Sequence, residues 1–360
     1  MKKILISTGG SGGHVLPAIN LYEHLKKDFD VKLYTDVRGA KYIPNEINKT
    51  IFDVKQAPEK IYLLPIKIIF LFYAFIKFII HLNRNKFDTV ISTGGYMSLP
   101  IVLAAKIYNI KIFLFEPNSI IGRSNKFLLN FSSKIMCYDK DLKGLDKKYI
   151  NKVIWINPIL NQQFYNKNIS NNIKNDILRI LIIGGSQASL FFTKHLKNEI
   201  IELSLKYKLE ITQQLSQGFD ANNYKKDYDN NNIDNNLFFF KENFLCKNSN
   251  FDIAITRSGA SALAELSHLN IPFIAIPFPH ATDNHQFLNA KKYAELNCCW
   301  ILEEKNFKSG DISKLINQIM FNKNDYHEKK NNPKEFNENQ TWENINTELR
   351  NIFKDNNISV

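Results

Sequence analysis

The sequence predicts an α/β protein with two doubly wound parallel sheets. Short apolar runs typical of β-strands alternate with helical stretches through both halves of the 360-residue chain, and this alternation indicates βαβ units. Three glycine-rich loops follow such runs, at the strand ends where α/β folds bind ligands. Because the chain is longer than a usual single domain, we expect two domains with one sheet each.

The strand-type runs occur in regular order in each half. In the first half they are predicted at 4–8, 31–35, 89–92, 111–115 and 134–138, with a helix at 15–27 after the first run. In the second half they are predicted at 178–183, 209–213, 237–240, 253–256 and 273–276. Polar composition predicts a surface loop over 227–236.

The boundary between the domains is predicted near Asn157-Pro158. It gives an N-terminal domain over 1–157 and a C-terminal domain over 158–334, with a polar linker-like stretch at 161–176. The tail, about 335–360, has apolar residues at helical spacing. It can pack against either domain, including back onto the first.

The glycine loops lie at 7–14, 92–98 and 184–189. Glycine lets backbone N–H groups crowd around an anion, and a following helix adds the positive end of its dipole. We therefore expect two phosphate-bearing ligands. The first loop lacks the third glycine of G-x-G-x-x-G, which disfavours the alternative of an NAD site with Asp36 on the ribose. No P-loop motif is present.

The positive charge is concentrated in the first half. Residues 1–157 carry 24 Lys and Arg against 12 Asp and Glu, and the remaining residues carry 23 against 23, which together give the net charge of +12. A basic domain favours an anionic membrane surface or nucleic acid as partner; solubilising lysine is the alternative. The four cysteines lack CxxC spacing, so a zinc site and a disulfide framework are disfavoured and a reducing cytoplasm is favoured.

The segment 61–82 is almost wholly apolar and long enough to span a bilayer. A span would place the first two glycine loops on opposite sides of a membrane and divide the first sheet. An interfacial helix, with Lys60, Lys67, Lys77 and Arg84 at anionic head groups, keeps the sheet intact. A buried core helix and a transmembrane helix remain the alternatives.

Three further features are candidates for chemistry. His14 follows the first glycine run and is a candidate general base, because imidazole exchanges protons near neutral pH; a purely structural role is the alternative. Glu265 shares a helix face with Ser261 and can accept hydrogen bonds from ribose hydroxyls, or be a solvated helix residue. The polar cluster at 280–289 suits a sugar, and it lacks the spacing of a known metal motif.

Taken in order, these motifs resemble the MurG family of lipid-linked peptidoglycan GlcNAc transferases. The match runs from Ile4 to about Glu303 and comprises the segments Gly9–His14 with Pro17, Gly94–Ser98, Glu116–Asn118, Gly122 with Asn125-Lys126, Asn157-Pro158, Gly184–Gln187, Arg257–Ala260 with Glu265, and His285-Gln286 with Asn289-Ala290. Their shared order is more specific than any single motif.

The resemblance implies a GT-B fold, with two Rossmann-like domains facing across a cleft. It implies an inverting, metal-independent transfer of GlcNAc from UDP-GlcNAc to the C4 hydroxyl of MurNAc-pentapeptide on undecaprenyl diphosphate, in cell-wall synthesis. No cofactor is implied. The N-terminal domain would bind the lipid acceptor at the cytoplasmic face of the inner membrane, as a peripheral protein, and the C-terminal domain would bind the UDP-sugar.

The resemblance also implies roles for individual residues. On the acceptor side it makes His14 the base and Glu116 a second catalytic-site residue, which positions the acceptor and sugar together with Asn118. On the donor side it places Ser186 at the diphosphate, Glu265 at the ribose and Gln286 at GlcNAc. It also implies that Leu245 packs against uracil. The remaining implied substrate contacts are Ser11, Gly12, Gly13, Gly94, Gly95, Gly185, Gln187, Ser261, Leu263 and His285.

The chain departs from the family pattern at three positions. Leu160 stands where an arginine usually reaches the donor diphosphate, Ala188 replaces a glycine, and Thr193 replaces an asparagine. We therefore expect Leu160→Arg to tighten UDP-GlcNAc binding through a charge-assisted contact.

Other classes of function remain as alternatives. Another GT-B enzyme, such as a glycolipid synthase or a nucleotide-sugar epimerase, differs in its acceptor. A degenerate lipid-binding protein without activity is disfavoured by the presence of His14, Glu116 and Gln286 together. Nucleic-acid binding is not expected, because the basic half lacks a recognised motif.

Overall fold

The structure, a computed structural model, describes residues 1–54, 64–166, 177–186, 188–239, 241, 244–337 and 340–354. It divides into two compact units. The first comprises the described residues up to Gln162 and those from Thr341 onward, and the second comprises those from Gln163 to Gln340.

The strands form two sheets, one in each unit. They are β1 (Lys3–Ser7), β2 (Asp30–Asp36), β3 (Lys49–Phe52), β4 (Thr89–Ser92), β5 (Lys111–Glu116), β6 (Lys134–Cys137), β7 (Val153–Trp155), β8 (Ile177–Ile183), β9 (Lys208–Gln214), β10 (Asp234–Phe238), β11 (Ile253–Thr256), β12 (Phe273–Ala275) and β13 (Cys299–Ile301). Their order is β3-β2-β1-β4-β5-β6-β7 in the first unit and β10-β9-β8-β11-β12-β13 in the second.

The helices follow the strands in both units. They are α1 (Gly12–Leu25), α2 (Val37–Ala40), α3 (Leu64–Arg84), α4 (Ser98–Ile107), α5 (Arg123–Leu128), α6 (Gln162–Tyr165), α7 (Leu190–Ser204), α8 (Ala221–Asp229), α9 (Phe244–Lys247), α10 (Ala260–His268), α11 (His285–Glu295), α12 (Asp311–Phe321), α13 (Lys323–Asn337) and α14 (Trp342–Lys354). Short 3-10 turns lie at Lys147–Lys152, Thr282–Asn284 and Glu304–Asn306.

The predicted fold class is confirmed. Every described strand pairing is parallel, and each unit has the Rossmann-like doubly wound order. The central strands are buried on both faces, as parallel sheets covered by helices require. In β8, for example, Ile180, Leu181 and Ile182 are fully buried.

The prediction of a surface loop over 227–236 is wrong. α8 continues through Asp229, and the edge strand β10 begins at Asp234. β10 pairs with β9 through its backbone, which its polar side chains do not prevent. Polar composition alone therefore mispredicted this edge strand, which has a neighbouring strand on one side only.

The last helix packs on the first unit. In α14 the apolar residues Ile345, Leu349, Ile352 and Phe353 are buried, and the Phe353 ring meets the rings of Phe29 and Phe113 edge-on. Residues 338–339 and 355–360 of the predicted tail lie outside the described residues. The division into an acceptor domain and a donor domain stays a prediction.

The apolar segment forms most of α3, whose inner side is buried at Ala74, Phe78 and Leu82. Residues 61–63 and Lys60 lie outside the described part of the chain. Among the described residues, no helix combines the length and the apolarity needed to cross a membrane.

Candidate functional site

The first candidate site lies at the carboxyl edge of the first sheet. β1 has β2 on one side and β4 on the other, so the chain changes direction here, and Ser7 at the end of β1 pairs with Ser92 at the end of β4. Ligands of doubly wound sheets bind at such switch points. The first two glycine loops therefore emerge side by side.

His14 joins these two loops. Its Nδ1 lies 2.9 Å from the carbonyl oxygen of Thr93. Because a carbonyl oxygen only accepts, Nδ1 carries the proton in the neutral ring and Nε2 is left with a free lone pair. The side chain is half-buried. This tautomer and exposure are what a general base requires.

The glycines of the second loop make room for this ring. Gly94 has φ +96°, and a Cβ on it would lie 2.9 Å from His14. Gly95 has φ +85°, and a Cβ on it would lie 2.8 Å from the carbonyl oxygen of Gly9. Both loops therefore approach each other more closely than side chains permit.

The other predicted contacts of the first loop lie beside His14. The Ser11 carbonyl accepts the N–H groups of His14 and Val15 and so begins α1. Gly12 is buried within the first turn, whereas Gly13 is exposed. The structure thus brings Ser11, Gly12 and Gly13 to the same edge as Gly94 and Gly95.

Glu116, at the end of β5, is buried and fully used by its own loop. Its Oε1 accepts from the backbone N–H and the side-chain amide of Asn118, at 3.2 and 2.8 Å. Its Oε2 accepts from the Gly122 N–H and the Asn125 amide, at 2.8 and 2.9 Å. A carboxylate with four protein donors is a positioning group, so the geometry does not favour proton transfer by Glu116.

Asp36 is likewise occupied. Its Oδ1 accepts from the N–H groups of Gly10 and Gly39, at 2.9 and 2.7 Å, and its Oδ2 pairs with Arg38 at 3.0 Å. It therefore supports the first glycine loop and leaves no lone-pair position directed at a ribose. This contradicts the NAD alternative.

The second candidate site lies at the matching edge of the second sheet. There β8 and β11 are neighbours at the change of direction, with Ile183 paired to Thr256. Gly185 follows β8 with φ +80°, and nothing lies within 4 Å of where its Cβ would be. Ser186 is partly exposed beside it, and Gln187 lies outside the described residues.

Ala188, which replaces the family glycine, has φ +57°. An L-residue in this left-handed conformation costs about 1–2 kcal/mol. The loop nevertheless closes tightly, because a Cβ on Gly184 would lie 2.3 Å from the backbone nitrogen of Ser189. The departure from the family pattern therefore adds strain without opening the loop.

Gln286 connects two loops at this edge. Its Oε1 accepts from the N–H groups of Ser258 and Phe278, at 3.2 and 3.0 Å. This leaves the Nε2 group to donate to a ligand. The neighbouring His285 donates from Nδ1 to the Thr282 carbonyl at 2.8 Å. Among the described side chains, no group of three His, Cys, Asp or Glu residues is placed to hold a metal ion.

Glu265 lies on α10, one turn after Ser261, and most of the surface of each residue is covered. Burial raises the pKa of Glu265 to about 8. Within the described structure its carboxyl group has no hydrogen-bond partner. A carboxyl group that the protein leaves to other partners is a candidate acceptor for ligand hydroxyls.

The two predicted leucine contacts are largely internal. Leu263 is fully buried and Leu245 is 5% exposed. The side chain of Leu263 therefore belongs to the core, and only its backbone can meet a ligand. Leu245 follows Phe244, whose ring stacks on Phe238 with centroids 4.2 Å apart.

Arg257 is a site residue that sequence reasoning assigned no role. It is buried, its Nε donates to Ser189 Oγ at 3.2 Å, and its Nη1 donates to the Ile276 carbonyl at 3.1 Å. Its guanidinium also pairs with Glu304 at 2.5 Å. It joins the glycine loop to the segment after β12. Its position directly after an apolar strand was the available signal.

Leu160 is not suited to an arginine. Its side chain is 2% exposed, and its carbonyl lies 3.1 Å from Nε2 of the buried His24. An arginine here would have to bury its charge. The burial of Leu160 therefore argues against the expectation that Leu160→Arg tightens donor binding, and we expect loss of stability instead.

Comparisons with known proteins agree with both units. Residues 4–137 match the glycosyltransferase family 28 N-terminal domain, and residues 179–345 match the C-terminal domain of the same family. The curated UDP-N-acetylglucosamine–N-acetylmuramyl-(pentapeptide) pyrophosphoryl-undecaprenol N-acetylglucosamine transferase of Pelagibacter ubique is 45% identical over 357 residues, 99% of each chain.

More distant relatives give the same result. The transferase of the same name from Rickettsia bellii is 32% identical and covers 89% of this chain and 92% of its own. Among solved structures, MurG from Acinetobacter baumannii aligns over 98% of this chain and 99% of its own, with a TM-score of 0.74 and 20% identity. The similarity to this solved structure shows the fold.

Proposed function

Because this chain belongs to glycosyltransferase family 28, and within it to the MurG family of its full-length curated relatives, we propose that it transfers GlcNAc from UDP-GlcNAc to MurNAc-pentapeptide on undecaprenyl diphosphate. The observation that carries this proposal is the 45% identity over 99% of both chains. The product is the lipid-linked disaccharide used in peptidoglycan synthesis.

The first site supplies the base for this reaction. The acceptor hydroxyl of MurNAc must lose a proton as it attacks the anomeric carbon of GlcNAc. Nε2 of His14 has the lone pair for this step, and the Thr93 carbonyl holds the ring through its Nδ1–H. The Glu116 loop then positions the acceptor, and direct displacement inverts the anomeric configuration.

The second site binds the donor. The C–O bond between GlcNAc and UDP breaks as the new bond forms, and the negative charge moves onto the diphosphate. Backbone N–H groups of the third glycine loop and the Ser186 hydroxyl can stabilise this charge. Glu265 accepts from the ribose hydroxyls, and the Nε2 group of Gln286 donates to GlcNAc.

Incubation with labelled UDP-GlcNAc and lipid-linked MurNAc-pentapeptide tests the proposal. We expect label in the lipid-linked disaccharide and release of UDP. A glycolipid acceptor and UDP-GlcNAc without acceptor serve as controls. Transfer only to another acceptor, or epimerisation of the donor alone, would establish one of the alternative GT-B activities.

We also propose that α3 holds the protein peripherally at the cytoplasmic face of the inner membrane. Large apolar side chains on its outer side are exposed, and they are Ile68, Ile69, Phe72, Tyr73, Ile76 and Ile80. An amphipathic helix with such a face lies in the membrane interface. Lys77, whose Nζ lies 4.4 Å from the centre of the Tyr73 ring, and the exposed Lys86 add attraction to anionic lipids.

Vesicle flotation tests this membrane contact. Phe72→Asp should weaken binding to both anionic and neutral vesicles, because apolar burial is lost in either case. Lys77→Glu should weaken binding mainly to anionic vesicles. Phe321→Asp is the matched control, since Phe321 is 93% exposed on α12 of the other unit. Equal binding of Phe72→Asp and the control variant would contradict the proposal.

A further inference from the structure

The third glycine loop is held by a side chain from a neighbouring strand. Gln214, the last residue of β9, is 4% exposed. Its Oε1 accepts the Gly184 N–H at 2.9 Å, and its Nε2 donates to the Gly185 carbonyl at 2.9 Å. One side-chain amide therefore bonds two consecutive residues of the loop, through its oxygen as acceptor and its NH2 group as donor.

These two bonds decide which backbone groups of the loop remain available. The Gly184 N–H is used by Gln214 and cannot bind a ligand. The Gly185 carbonyl accepts a second hydrogen bond from the Ala188 N–H at 3.1 Å, so both of its lone pairs are occupied. The peptide between Gly185 and Ser186 is thereby held in one orientation.

The orientation of this peptide directs the next N–H group outward. In a trans peptide the C=O and N–H bonds point in opposite directions. Since the Gly185 carbonyl faces Gln214, the Ser186 N–H faces away from it. Among the described residues, the N–H groups of Gly185 and Ser186 and the Ser186 hydroxyl have no hydrogen-bond partner.

We propose that Gln214 is a positioning residue for the donor diphosphate, which it serves by orienting the Gly185–Ser186 peptide without touching the ligand. The proposal rests on the proposed function, because it takes a nucleoside diphosphate as the ligand of this loop. Three adjacent donors on a loop with positive φ at Gly185 form a concave anion site. The left-handed Ala188 strains this loop, so an external clamp is needed to keep the donors aligned.

The neighbouring Gln213 provides a matched control. It is fully buried on the opposite face of β9, where its amide bonds the hydroxyls of Tyr224 and Tyr228 at 3.0 and 2.7 Å. Gln213→Leu and Gln214→Leu thus remove the same amide from adjacent positions. Only the second removes contacts to the glycine loop.

The experiment compares UDP with uridine as inhibitors of the transferase. Uridine lacks the diphosphate, so an effect that acts through the loop must appear with UDP alone. For Gln214→Leu we expect UDP to bind about tenfold more weakly, as for the loss of one charge-assisted hydrogen bond, while uridine inhibition stays within about twofold. Gln213→Leu should leave the ratio of the two inhibition constants unchanged.

Gln214→Glu separates the two bonds of the clamp. Glutamate still accepts the Gly184 N–H but cannot donate to the Gly185 carbonyl, so UDP binding should again weaken. Wild-type-like UDP inhibition of both Gln214 variants would overturn the proposal. Equal losses for UDP and uridine would do the same, since they indicate general disruption. If the wild-type protein itself does not bind UDP, the proposed function fails instead.

Discussion

Nδ1 of His14 donates to the backbone carbonyl of Thr93 across 2.9 Å. The two residues belong to the first and second glycine loops, which leave neighbouring strands. This hydrogen bond sets the tautomer of the ring. It joins the two loops together with the bonds that the Thr93 hydroxyl donates to the Thr8 hydroxyl and the His14 carbonyl. The proposed base is therefore oriented by the backbone of the second loop.

Replacing His14 by alanine should lower kcat by about 10²–10⁴, the usual effect of losing a general base. The KM for UDP-GlcNAc should change little, because the donor loops lie in the second unit. Steady-state kinetics with the lipid-linked acceptor provide the measurement. A kcat within about tenfold of the wild-type value would mean that His14 has only a structural role.

Glu116→Gln should destabilise the protein as well as lower its activity. The carboxylate accepts hydrogen bonds from four N–H groups. In the glutamine variant an NH2 group would replace one carboxylate oxygen and would face the two N–H groups that this oxygen accepts. Leaving buried donors unpaired costs about 1–3 kcal/mol, which urea unfolding can measure. Glu46→Gln, at an exposed position, is the control. Unchanged stability with lost activity would favour direct catalysis by Glu116.

Glu265 should make donor binding depend on pH. Burial raises the pKa of this carboxyl group to about 8, so it is mostly protonated at pH 7. Ribose hydroxyls donate hydrogen bonds to the ionised carboxylate. Inhibition by uridine should therefore become stronger as the pH rises towards about 8, and it should stay constant at higher pH. Glu265→Gln should abolish this dependence. A persistent slope in the variant would assign the titration to another group.

His24 should make the first unit less stable in acid. Its ring is buried between Leu160 and Asn346 and stacks on Trp342, and burial lowers its pKa to about 4 from the ordinary 6.5. Below pH 6.5 the unfolded chain binds a proton that the folded protein excludes. The unfolding free energy should therefore fall as the pH falls from about 7 to 4, by up to about 3 kcal/mol.

The test of His24 compares the wild-type protein with His24→Gln in urea at several pH values. Burial also lowers the pKa of His81 and His268, and these residues remain in both proteins. The difference between the two curves thus reports His24 alone. It should shrink as the pH falls from 7 to 4; a constant difference would show that His24 does not titrate on unfolding.

The alternation of apolar runs and helical stretches correctly predicted the central strands of both sheets. β3, β7 and β13 were not predicted from the sequence. They have three or four residues each and lie at or next to a sheet edge. A short edge strand is stabilised mainly by its backbone pairing, which leaves a weak pattern in the side chains.

The ordered motifs identified the family and brought His14, Ser186 and Gln286 forward as candidate site residues. These are local signals, because each residue lies in a short motif at a glycine loop or at the start of a helix. Arg257 and Gln214 received no role. The side chain of each residue bonds a loop that is distant in sequence, and the strands must pair before the two come within hydrogen-bond distance.

The sequence by itself therefore determined the α/β class and the positions of the glycine loops, because these depend on periodicity and local conformation. The resemblance of its ordered motifs identified the family. The tertiary structure alone decided what the polar groups do. It assigned Glu116 to four neighbouring donors, buried Leu160 and gave the Glu265 carboxyl group no hydrogen-bond partner among the described residues. A hydrogen bond depends on distances of a few ångströms between residues far apart in the chain, and only the packed sheets set those distances.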